Sequence, residues 1–159
     1  MSAIELDRID LVLLAELQRA GRQTHAELAE RVHLSASACL RRVQRLEREG
    51  VIVGYRAEVD PERLGLGLQA FVRVQLKSHD AERIAIFAEQ VNAWPEVVAC
   101  HALTGDMDYL LHVIVQDLDH FSRFLLDRLL NDGGVADVNS SFVLRAVKQR
   151  RRLTLDHLS

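Results

Sequence analysis

Four arginines fall within one eight-residue stretch, Arg41, Arg42, Arg45 and Arg48. Guanidinium forks suit phosphate oxygens and guanine edges. At helical spacing Arg41, Arg45 and Arg48 share one face, with Arg42 beside them, and an apolar stripe of Leu40, Val43 and Leu46 is expected opposite. Ser35, Ser37 and Ala38 stand ahead of them. Small residues let a helix N-terminus approach base edges and offer its amides to a phosphate. The same pattern also describes an amphipathic helix whose basic face is merely solvated, with Glu47 and Glu49 as its counter-charges.

A second constellation is Thr104-Gly105-Asp106-Met107-Asp108-Tyr109. It joins two apolar runs that read as antiparallel strands. Gly105 can adopt the positive φ of a tight turn. Asp106 and Asp108 place carboxylates at one end of a sheet, where they can accept from an ammonium group, and exposed turn amides can hold a carboxylate. Together these are the requirements of a free amino acid. Gly-Asp-x-Asp is also ordinary turn chemistry.

Other chemistry finds little support. No nucleophile–base pair stands at a recognisable spacing, so no catalytic set is expected. Cys39 and Cys100 are the two cysteines and form no CxxC, which argues against structural zinc and a disulfide framework. Cys39 reads as a small buried thiol. His101 and His112 lie on neighbouring predicted strands and read as sheet residues, so no metal site is expected. Gly65-Leu66-Gly67-Leu68-Gln69-Ala70 fits a GxGxxA pattern, but a hinge precedes it and a strand follows, the wrong setting for a dinucleotide. No cofactor is expected. Lys148 and Arg150-Arg151-Arg152 form a basic tail that reads first as a solvated terminus, with phosphate contact as the alternative.

The elements that must position these residues follow from periodicity. Leu6, Ile9, Leu13 and Leu17 share one helical face, and Gly21 is a plausible stop. Thr24, with Glu27 three residues on, opens a second helix by a capping box, burying Leu28, Ala29 and Val32. A break at His33-Leu34 leads to Ser35 and the arginine-bearing helix, which Gly50 ends. Val51 to Tyr55 is β-like, a wing or linking strand. Asp60 to Gly67 is turn-rich and reads as a hinge. Phe71 to Lys77 then alternates as a half-buried strand. Asp80 caps a helix with inner residues Ile84, Phe87, Ala88 and Val91. Strands are expected at Val97 to Thr104 and Tyr109 to Val115. Asp117 opens a helix carrying Leu118, Phe121, Leu125 and Leu129, which Gly133-Gly134 breaks. Val138, Ser140, Phe142 and Leu144 form a final strand.

The order β-α-β-β-α-β is the ferredoxin-like split βαβ arrangement. The fold class is therefore α+β: an N-terminal winged helix-turn-helix of three helices at 1–60, a hinge at 61–69, and a βαββαβ domain at 70–159. The helices cover one sheet face. The other is left for a partner, and an obligate dimer is expected.

Bulk properties agree with two small domains. The chain has 159 residues and few aromatics, so its cores must be mostly aliphatic and thin. Residues 1–60 hold nine basic and ten acidic side chains. Bulk charge therefore does not favour nucleic acid, and the arrangement of the arginines must do so. The N-terminal run carries acids early and reads as no signal peptide, and no run is long enough to span a bilayer. The expected setting is the cytoplasm.

The stretch from Leu34 through Arg41-Arg42-Val43-Gln44-Arg45-Leu46-Glu47-Arg48-Glu49-Gly50 to Ile52 resembles the recognition-helix signature of the leucine-responsive regulatory protein/AsnC family. Leu6-Asp7-Arg8-Ile9-Asp10, Gly54-Tyr55 and Gly105-Asp106-Met107-Asp108-Tyr109 extend the resemblance over essentially the whole chain in one register. Ala38 departs from it where many members have proline, which bears on how the recognition helix enters the groove. The resemblance implies a DNA-binding transcriptional regulator, not an enzyme. It implies double-stranded DNA contacted through Ser35, Ser37, Ala38, Arg41, Arg42 and Arg45. It further implies a small amino-acid effector bound between dimers at Thr104, Gly105, Asp106, Asp108 and Tyr109, and dimers assembled further, as octamers. The alternatives are an architectural DNA-organising protein without an effector, and an enzyme or enzyme subunit, since small βαββαβ domains often regulate amino-acid enzymes.

Overall fold

Side-chain caps set where the first three helices begin. In α1 (Arg8–Arg19) the Asp7 carboxylate accepts from the Asp10 N–H at 2.8 Å, and the Asp10 carboxylate accepts from the Asp7 N–H at 3.1 Å. α2 (His25–Arg31) starts on the expected Thr24–Glu27 capping box, and α3 (Ala36–Arg48) on Ser35, whose hydroxyl accepts from the Ala38 N–H at 3.2 Å. Each such cap satisfies an amide that would otherwise lack a partner and is worth about 1 kcal/mol. His33 makes the bend between α2 and α3 at φ 54°, a left-handed conformation unusual for a residue with a side chain. Gly50 ends α3 at φ 74°; its N–H donates to Glu47 O at 3.0 Å and the Val51 N–H to Leu46 O at 2.9 Å, a Schellman closure.

The computed structural model describes residues 4–131, 133–148 and 152–155. The chain divides into two units, Met1–Glu58 with Lys148–Ser159, and Val59–Val147. The boundaries expected from sequence put the tail with the second unit. In the structure the Gln18 side chain brackets Leu153, accepting from its N–H at 2.7 Å and donating to its carbonyl at 3.3 Å. Arg150 and Arg151 of the basic tail lie outside the described residues.

The first unit packs Leu13, Leu28, Ala29, Val32, Cys39 and Val43, with Ile9, Leu17, Leu34 and Ile52 at its margin. Burial pushes the Cys39 thiol pKa up, as suits a thiol used for packing. The stripe of α3 is Cys39, Val43 and Leu46, not Leu40, which is exposed. Val51 to Tyr55 forms no strand, despite its β-branched residues. The Schellman closure ends the helix there, and Gly54 follows at φ 151°.

The second unit opens with a short 3-10 turn, Glu62–Leu64, closed by Gly65 at φ 77°. Then come β1 (Leu68–Leu76), α4 (Ala81–Ala93), β2 (Val97–Ala102), β3 (Tyr109–Val115), α5 (Leu118–Arg123) continuing as a π-helical stretch Phe124–Leu129, and β4 (Val135–Phe142). Among the described residues the elements ahead of Gly65 are helices, and β1 follows it. The sheet order is β2-β3-β1-β4, all antiparallel. Ala70, Val72, Val74 and Leu76 alternate toward the helices and meet Phe87, Val91, Phe121, Phe124 and Leu129. Ile84 and Ala88 of α4 and Leu118 of α5 are exposed, contrary to expectation. Leu144 lies beyond β4 and is exposed. On the opposite sheet face Phe71 stacks on His112 with centroids 4.7 Å apart. Among the described residues no helix is long and apolar enough to cross a membrane.

Candidate functional site

The structure separates the four arginines of α3. Arg42 Nη1 donates to Asp7 Oδ2 at 2.7 Å and to Asp10 Oδ1 at 2.8 Å, and Arg45 Nη2 donates to the other Asp10 oxygen. Asp10 is 1% exposed. A buried carboxylate is tolerable only when paired and hydrogen-bonded. Both oxygens of Asp10 meet a guanidinium, and one also accepts from the Asp7 amide. The Asp10 N–H, reinforced by the Arg42 guanidinium, holds the Asp7 carboxyl below its usual range, and the same contacts raise the Arg42 pKa. Arg42 and Arg45 thus fasten α3 to α1. Their partners lie more than thirty residues away in sequence, beyond the reach of a periodicity argument.

What α3 presents to solvent is a different set: Ser37, Leu40, Arg41, Gln44 and Arg48 are all exposed. At about 100° per residue these positions span roughly a 100° arc opposite Cys39, Val43 and Leu46. Ser35 and Ser37 pair through their hydroxyls at 3.2 Å, and Ala38 is half-buried behind them. The Tyr55 hydroxyl donates to Glu47 at 2.9 Å, tying the segment after α3 back onto it. Burial, then the Glu47 hydrogen bond, push the Tyr55 phenol up to about 12.

The second constellation is also partly engaged within the fold. Gly105 stands at φ 116°, in the positive range the turn requires. Asp108 Oδ2 accepts from the Leu76 N–H at 2.7 Å and Oδ1 pairs with His79 Nε2 at 2.8 Å, while the Asp108 N–H donates to Val74 O at 2.9 Å. The Leu76 amide first, then His79, hold the Asp108 carboxyl below its usual range. Asp108 therefore staples the β2–β3 turn to the end of β1, where the β1–β4 pairing slips between Gln75 and Leu76. Thr104 and Asp106 are exposed on that turn. Tyr109 is half-buried against Phe87, ring centroids 4.8 Å apart, and burial raises its pKa. His112 pairs in register with Ala99, and His101 with Leu110, so the two histidines are not opposite one another.

A helix-turn-helix unit with an exposed, mostly polar helix face is thus followed by a split βαβ unit with a polar turn. Residues 6–53 match the winged helix-turn-helix DNA-binding family, and residues 69–153 match the Lrp/AsnC ligand binding domain. The Bkd operon transcriptional regulator of Pseudomonas aeruginosa is 43% identical over 146 residues, which span 92% of this chain and 95% of that protein. The leucine-responsive regulatory protein of Escherichia coli K12 is 40% identical over 151 residues, 95% of this chain and 92% of that protein. A transcriptional regulator from Neisseria meningitidis, solved in complex with L-Met, superposes with a TM-score of 0.94 at 47% identity, covering 98% of this chain and all of that one. The chain belongs to the Lrp/AsnC family of transcriptional regulators, which are not enzymes.

Proposed function

We propose that this regulator binds an operator through the exposed face of α3 and releases or tightens it when a free amino acid binds at the Gly105–Tyr109 turn. The observation that carries the effector half is the division of labour in that turn. Asp108 holds its shape, and Asp106 stands exposed beside Gly105 as an acceptor for an ammonium group. The similar Neisseria meningitidis regulator was solved with L-Met, so aliphatic and sulfur-containing amino acids are the first ligands to try. The rest of the pocket comes from a neighbouring subunit.

Assembly follows from the uncovered sheet face. Phe71, stacked on His112, is 40% exposed at its centre, and a second copy of the chain covers it. Dimers place two recognition helices about 34–36 Å apart, on successive turns of the major groove. Dimers assemble further, to octamers, and the effector bound between dimers shifts that equilibrium. A shift in assembly changes how many DNA-binding units engage at once, and so the apparent affinity. The protein works on the nucleoid in the cytoplasm.

Light scattering with free amino acids added singly tests the assembly claim: one of them changes the molar mass. A mass unchanged by all of them removes the assembly mechanism. On the DNA side, Arg41→Ala weakens specific binding by about 1–3 kcal/mol if Arg41 reads a base, with an unchanged melting temperature because Arg41 is exposed and has no ion-pair partner among the described residues. Gel-shift titration beside thermal melting checks both halves. Parent-like affinity would take Arg41 out of the interface.

A further inference from the structure

We infer that Gln44 and Leu40 are the base-reading residues of α3, Gln44 for an adenine and Leu40 for the methyl group of a thymine. The inference rests on the DNA-binding reading above and deepens it.

The ion pairs decide which side chains are available. With Arg42 and Arg45 fastened to Asp7 and Asp10, the outward arc holds Ser37, Leu40, Arg41, Gln44 and Arg48. A recognition helix contacts base edges chiefly through its N-terminal residues. Arg48 stands in the last turn, in place for the phosphate backbone. Ser37 already pairs with the Ser35 hydroxyl. Three long side chains remain for the groove floor.

Leu40 is the unexpected one. It is a large apolar side chain, 36% exposed, on a face otherwise polar and away from the core of its own unit. A leucine there gains nothing from water. The major groove offers one apolar feature, the thymine C5 methyl. Gln44 is exposed, with no hydrogen bond to another described residue. Its carboxamide carries a donor and an acceptor in one plane, the complement of adenine N6 and N7, whereas a guanine edge presents two acceptors and rejects the carbonyl. Leu40 and Gln44 are one helical turn apart, about 6 Å along the axis. Base pairs rise about 3.4 Å, so the two side chains address positions within two steps of each other. Arg41, between them, takes a guanine edge or a flanking phosphate.

In-vitro selection of binding sites with the parent, Gln44→Ala and Leu40→Ala proteins tests this, followed by affinity measurements on the selected duplex. Gln44 is exposed and Leu40 is 36% exposed, so melting temperatures are recorded beside affinity, and the change in base preference, not the overall affinity, reports on the interface. Gln44→Ala loses the preference for adenine at one position per half-site, where the parent discriminates by about 5- to 150-fold, and keeps its preferences elsewhere. Replacing thymine by deoxyuridine deletes only the methyl group. At one position within two steps of that adenine, the replacement weakens the parent several-fold and leaves Leu40→Ala unaffected. Unchanged selection with Gln44→Ala, or equal sensitivity of parent and Leu40→Ala to deoxyuridine, overturns the corresponding assignment. If the parent itself selects no sequence, the sequence-specific reading fails first, and the assignments fail with it.

Discussion

The Arg42→Ala/Arg45→Ala double variant loses about 3–5 kcal/mol of stability in its N-terminal unit, because it leaves the Asp10 carboxylate buried without a counter-charge. Asp10 is 1% exposed, and its nearest cations are those two guanidinium groups. The backbone N–H of Asp7 remains as a donor but cannot neutralise a charge. Adding Asp10→Leu to the double variant recovers most of the loss, since an apolar residue in place of the whole cluster removes the desolvation cost with the charge. Urea denaturation followed by circular dichroism reads both steps. Parent-like stability in the double variant would show that Asp10 is reached by water and that the arginines are free for DNA. This experiment separates Arg41 from its neighbours: substitution of Arg41 changes DNA affinity, and loss of Arg42 with Arg45 changes folding.

Phe124→Ala costs about 3–5 kcal/mol, the usual range for deleting a fully buried phenyl ring. The ring is 1% exposed and lies edge-on to Trp94 with centroids 5.6 Å apart, beside Phe121 at 6.4 Å. Leu118→Ala, on the same helical run, stays within about 0.5 kcal/mol because Leu118 is 58% exposed. Denaturant titration of the two variants side by side makes the contrast. Comparable losses would mean that Leu118 is buried by contacts other than the core described above.

That pair also shows where periodicity stops being informative. A regular helix from Asp117 predicts Leu118, Phe121, Leu125 and Leu129 on the inner face, and Phe121 and Leu129 are indeed buried. The π-helical stretch Phe124–Leu129 widens the turn and rotates the register. Phe124 and Leu129, five residues apart, are both fully buried, while Leu125 is only half-buried. Phe124 also stands at ordinary helical spacing from Phe121, so its burial is open to a periodicity reading, which takes Leu125 instead. Capping chemistry is more legible, because it is local: Thr24 with Glu27, Ser35, Asp80 and Asp117 each accept from an amide three residues on. The β-α-β-β-α-β order and the alternation of β1 were readable for the same reason. The apolar stripe of α3 differs at one position from what spacing predicts. Spacing puts Leu40 in the stripe, yet Leu40 faces outward, and Cys39, read from sequence as a small buried thiol, takes that place. The roles of Arg42, Arg45 and Asp108 depend on partners brought in by the fold from α1 and from β1, which spacing along the chain does not reveal.

If the regulator works as proposed, an amino acid bound at the β2–β3 turn changes its DNA affinity. Fluorescence anisotropy of a labelled operator tests it most directly, titrating parent and Asp106→Ala proteins with and without each free amino acid, L-Met among the first. At least one amino acid is expected to shift the parent's Kd by about 5- to 150-fold, the span of a typical coupling free energy. Asp106→Ala is expected to bind DNA like the parent without ligand and no longer to respond. A parent Kd indifferent to every amino acid would contradict effector control. An undiminished response in Asp106→Ala would contradict its location in the turn.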